Sequence, residues 1–118
     1  MNLKFSATSA SYEEALGGDI VQIAFDENPD DDPLNPQSKN IYASINYEFP
    51  PCELLFEWTD GSKFDGGLKA QKYTMSEKRF SVILEGGMSI EIEHSADAET
   101  FRKISALLLR EVGCPENE

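Results

Sequence analysis

The sequence predicts an α+β domain, an antiparallel β-sheet of about six or seven strands with a C-terminal α-helix packed on one face. Three observations predict it. Between residues 66 and 113, three strand-like runs are followed by one helical run, with no polar interruption longer than a turn. Most apolar residues before that stretch alternate with polar ones at period two, the spacing of a half-buried strand. The last apolar stripe, Phe101, Ile104, Leu108 and Val112, recurs at three- and four-residue spacing instead.

Taken in order, Leu3, Phe5 and Ala7 alternate with Lys4, Ser6 and Thr8 in a short first strand. Residues 9–16 are ambiguous between one helical turn ending at Gly17-Gly18 and a loop. Residues 19–26 form a strand with Val21, Ile23 and Phe25 on one face. Residues 27–39, with three prolines and clustered acids, form a loop without regular structure. Residues 41–49 alternate again, with Ile41, Ala43, Ile45, Tyr47 and Phe49 on one face, until Pro50-Pro51. Residues 53–58 align Leu54, Phe56 and Trp58, and Asp60-Gly61 signals a hairpin turn. Gly66-Gly67 reads as a turn and residues 68–75 as a strand. Residues 79–85 put Phe80, Val82 and Leu84 on the buried face and Ile83 on the outer one. After the turn at Gly86-Gly87, Met88, Ile90 and Ile92 complete a hairpin. Asp97 and Ser95 compete to cap the helix, Leu107 widens its stripe, Leu109 lies off it, and Gly113 with Pro115 ends it.

The 118 residues suit one domain, spanning 1–118. No apolar run is long enough to span a membrane, and the N-terminal residues lack the apolar core of a signal peptide. Cys52 and Cys114 have no metal-binding spacing and read as two reduced thiols in a cytoplasmic protein. The formal net charge is −12. Residues 1–60 hold twelve acids against two bases, Lys4 and Lys39, whereas residues 61–118 hold ten acids against eight bases. Such a field repels nucleic acid and anionic membranes and favours a cationic protein partner.

The chain carries no catalytic motif. Asp26, Asn28 and Asp30 match the first liganding positions of a calcium loop, but Asp31 stands where that loop needs glycine and Gln37 where it needs glutamate. His94, the sole histidine, is placed with no Ser or Cys nucleophile and reads as structural. Glu91 and Glu93 share the wet face of a strand. There is no phosphate loop, and the few bases are not interleaved with aromatics. No cofactor or metal is expected. Trp58 belongs in the core by alternation, and Tyr42 on the wet face.

From residue 40 onward the order of features resembles the bacterial immunity proteins of polymorphic toxin systems, the family numbered ten. The matching residues are Ile41-Tyr42, then Gly66-Gly67-Leu68, then Phe80, Val82, Leu84, Ile90 and Ile92, and finally Phe101, Ile104 and Leu108. Leu3, Phe5 and residues 20–25 fit as well. The resemblance implies a non-enzymatic inhibitor that binds a cognate toxin domain. The charge imbalance agrees with it, since many toxin domains are basic. The residues expected to meet that partner are Asp26, Glu27, Asp30, Asp31, Asp32, Tyr42, Glu48, Glu53 and Glu57. The competing readings are an acidic secretion chaperone or adaptor, and a small ligand-binding domain or enzyme built around His94.

Overall fold

The computed structural model describes residues 2–30, 38–62 and 64–116. Among them are nine strands: β1 (Asn2–Ser6), β2 (Ser9–Ala15), β3 (Ile20–Asp26), β4 (Lys39–Asn46), β5 (Leu55–Asp60), β6 (Phe64–Leu68), β7 (Ala70–Met75), β8 (Arg79–Leu84) and β9 (Ser89–Glu93). One helix, α1 (Ala98–Glu111), follows. The α+β class is as expected, but the strands make two sheets rather than one. A four-stranded sheet has the order β1-β9-β8-β7, and a five-stranded sheet the order β2-β3-β4-β5-β6. Every pairing is antiparallel except β1 with β9.

The division happens at two corners. Ala7 N–H still donates to Glu93 O in the first sheet (2.8 Å), while Thr8 N–H donates to Asp26 O in the second (2.9 Å). At the other corner Leu68 pairs with Phe56 in one sheet and Ala70 with Leu84 in the other. Lys69, between them, is clamped to Glu85 through both backbone groups: its carbonyl accepts from Glu85 N–H, and its own N–H donates to the Glu85 carboxylate. Each bent pair, β1 with β2 and β6 with β7, therefore serves both sheets. The predicted strand over 68–75 is split at this corner. Period-two alternation reports which face is apolar and is blind to a corner that keeps the inward side inward.

One core fills the space between the sheets and under the helix. Leu3, Phe5, Val21, Ile23, Phe25, Ile41, Ala43, Ile45, Phe56, Trp58, Phe80, Val82, Leu84, Ile90 and Ile92 all belong to it. Phe25 of β3 stacks on Phe80 of β8, centroids 5.2 Å apart, which joins the two sheets near one end of each strand. The helix contributes Ile104, Leu107 and Leu108, each essentially inaccessible, and leaves Leu109 exposed, as its spacing predicts. Asp97 is the N-cap, accepting from Thr100 N–H at 2.7 Å, which decides against Ser95. The helix packs against β2, with Lys103 over the Tyr12 ring, and its end is tied to β7 by Tyr73 OH donating to Gly113 O (2.9 Å).

Three local expectations are corrected. Residues 9–15 are a strand, paired along their whole length with β3. Their half-buried, weakly alternating side chains hide this from periodicity, and the pairing supplies what local propensity does not. Gly66-Gly67 lies inside β6, not in a turn. The strand predicted to run to Phe49 ends at Asn46, so Tyr47 and Phe49 leave the core face and are exposed.

Candidate functional site

Those residues expected to meet a partner that are among the described residues do not form one patch. The register of the five-stranded sheet places Asp26 beside Asn40, Tyr42 between Ala24 and Glu57, and Thr59 beside Asn40, all on the outer face. There Tyr42 OH donates to Asp26 Oδ1 at 3.0 Å, so the tyrosine is half-buried rather than wholly wet. Burial pushes the Asp26 carboxyl above its ordinary value, and the tyrosine hydrogen bond only partly opposes this. Asn40 is buried on the same face with its side-chain oxygen unpartnered.

Glu27 extends the β3–β4 ladder. Its N–H donates to Lys39 O and its carboxylate accepts from Lys39 N–H (3.0 Å). Asp30 is exposed, and its N–H donates to Asn28 Oδ1 at 3.1 Å. Asp31 and Asp32 lie outside the described residues. Of the calcium-loop spacing, Asp31 and Gln37 are thus both outside them, and among the described residues no group of three or more His, Cys, Asp or Glu side chains is gathered.

Glu48 and Glu53 sit at the opposite end of the sheet, beyond the Asn46 and Leu55 termini of β4 and β5. Glu53 meets Lys69 at 3.5 Å. Four ion pairs form among the described residues, and none of them includes Glu13, Asp26 or Glu57 on the outer face.

His94 is hydrogen-bonded through both ring nitrogens. Ala96 N–H donates to Nδ1 (3.2 Å), which makes that nitrogen the acceptor, so Nε2 carries the hydrogen and donates to Ser76 O (3.0 Å). The ring is buried, with Phe25 and Phe101 as its aromatic neighbours. Both nitrogens are used, leaving neither to serve as a base. Burial lowers its pKa, against the opposing pull of the Ser76 carbonyl. A histidine with a depressed folded-state value stays neutral while the unfolded chain takes up the proton. Its contribution to stability is therefore complete above the ordinary histidine value and lost as pH falls below it, levelling off once the folded form also protonates. Urea unfolding of wild type and His94→Gln between pH 7.5 and 5.5 should show stability falling with pH in the wild type by up to about 1.4 kcal/mol per unit, and a flatter profile in the variant. Parallel profiles would remove His94 as the cause.

Sequence reasoning missed a second feature. Leu16, in a short turn with positive φ over residues 16–18, is 69% exposed, and Phe49 is 62% exposed. Their turns are joined, because Tyr47 N–H donates to Asp19 O at 2.7 Å and Asp19 N–H to Leu16 O. Tyr47 is held in place from the helix: its hydroxyl donates to Glu111 Oε2 (2.8 Å) and accepts from Arg110 Nη2 (2.9 Å). The usable signal was Pro50-Pro51, which stops the ladder before Phe49 can be covered.

Neither exposed cysteine is in a disulfide. No helix among the described residues is long and apolar enough to cross a membrane. Comparison with protein-family models, with curated proteins and with solved structures finds no match to this chain in any of the three.

Proposed function

We propose that this protein acts by binding another protein, a cationic toxin domain as in the immunity proteins it resembles, and that it catalyses no reaction itself. The observation that carries this reading is the acid excess of the five-stranded sheet. Its outer face exposes Glu13 opposite Gln22, and Glu57 opposite the Tyr42 that is bonded to half-buried Asp26, while Lys39 and Lys4 are the only bases in residues 1–60. A preformed surface of one sign steers an oppositely charged partner to encounter and disfavours nucleic acid. Desolvated Asp26 adds to the argument, since a carboxylate held above its ordinary pKa is a cost to the free fold that a cation would relieve. The neutral, doubly engaged His94 supports the non-catalytic side of the reading.

The test is co-expression and binding with the polypeptide encoded immediately upstream of this chain's gene. Asp26→Lys combined with Glu57→Lys should slow association by about tenfold or more at low salt, with the difference shrinking as salt is raised. Association rates unchanged by the double reversal would exclude this face from steering. Failure of the wild-type chain to bind or neutralise that polypeptide would sink the reading.

A further inference from the structure

The two joined turns at the Asn46 end of the five-stranded sheet combine three properties. They carry three of the five large hydrophobic side chains exposed among the described residues: Leu16, Tyr47 and Phe49. They also hold the two non-glycine residues with positive φ among the described residues, Leu16 at 52° and Cys52 at 56°. A bulky residue in that region is strained, and a leucine held there facing solvent contributes nothing to the core that would offset the strain. Lastly, the turns are rimmed by acids. Glu14, Asp19 and Glu48 are exposed beside them, whereas the nearby cations are committed, Lys69 to Glu53 and Arg110 to Glu111 and Tyr47.

We propose that residues 16–19 and 47–52 anchor the interface, with Leu16 and Phe49 entering an apolar recess on the cationic partner while the acidic rim meets its bases. This rests on the proposed function and adds to it the contact that sets lifetime. Apolar anchors ringed by polar groups carry most of the energy of protein interfaces, and charged rims govern encounter. A second copy of this chain is the wrong occupant, because it would bring net charge −12 and the same acidic rim against itself. The Tyr47 bridge to Arg110 and Glu111 holds the second turn on the helix end, so the anchor is ordered before binding.

Leu16→Gly and Phe49→Ser test this. Glycine at position 16 relieves the backbone strain, so that variant should unfold no earlier than wild type, which separates a binding role from a structural one. With the upstream-encoded polypeptide as probe, in about 0.5 M salt to screen steering, each variant should dissociate about tenfold faster or more with little change in association. If the wild type binds and neither variant dissociates faster, the anchor is wrong and the proposed function stands. If the wild type does not bind, both fall together. Light scattering that shows a wild-type dimer abolished by Phe49→Ser would assign this face to self-association and overturn the proposal.

Discussion

Replacing Phe80 by alanine is expected to lower stability by about 3–5 kcal/mol. Phe80 is fully inaccessible, sits on β8 opposite Met75 and Ile92, and stacks on Phe25 of the other sheet. Its removal costs the transfer free energy of the ring and the cavity that remains, since two sheets pinned at both corners have little freedom to collapse into it. The lost stacking adds about 0.5–1.5 kcal/mol to whatever area burial alone would give. Against a total near 5–15 kcal/mol for a domain of this kind, that is a large share. Urea denaturation followed by Trp58 fluorescence reads it directly, because Trp58 is buried in the same core. The midpoint should fall with little change in slope. Leu109→Ala, on the exposed side of the helix, is the control and should stay within about 0.5 kcal/mol of wild type. A Phe80→Ala effect no larger than that control would mean that the sheets do not meet at this ring.

How much of this was legible in the sequence depends on what a residue reports. Phe80, Val82 and Leu84 lie in the core, and Ile83 on the outer side, as alternation demands, because burial of one sheet face is a local, periodic property. The helix face was legible for the same reason, whereas the choice of Asp97 over Ser95 as its cap took the Thr100 N–H hydrogen bond to decide. Sheet membership was not, because Ala7 and Lys69 change sheets without disturbing the pattern of apolar positions. Partner order was equally hidden: nothing in residues 2–6 announces a parallel pairing with residues 89–93. For the candidate site, charge was legible as a sum but not as a surface. Asp26, Tyr42 and Glu57 come together only through the register of β3, β4 and β5, whereas Glu48 and Glu53 fall at the far end of the same sheet. Tyr47 and Phe49 were placed on the apolar face of their strand, and where that strand stops decides whether such a placement holds; Leu16 lay in the stretch whose periodicity is ambiguous.

Gly66 and Gly67, adjacent and chemically identical, are expected to respond very differently to alanine. Glu57 pairs with Gly66 and Phe56 with Leu68, so Gly67 is the extra residue of a bulge in β6. A Cβ at Gly67 meets nothing within 4 Å, and its only penalty is a φ of 81°, about 1–2 kcal/mol for an L-residue. A Cβ at Gly66 would lie 2.5 Å from Glu57 Cα and 2.7 Å from Phe56 O. Those are backbone atoms of β5 and cannot rotate away, so β5 and β6 must part and lose hydrogen bonds next to a filled core. Gly66→Ala is therefore expected to cost about 3 kcal/mol or more, clearly above Gly67→Ala. Denaturation of the two variants side by side measures the difference, and amide exchange should locate the Gly66→Ala damage in β5 and β6. Equal losses would mean that the close approach of the two strands is not what requires glycine at position 66. The same clash includes Glu57 Cγ at 2.7 Å, so it displaces an acid of the proposed steering face. Gly66→Ala protein that still folds should therefore also associate more slowly with its partner, whereas Gly67→Ala should not.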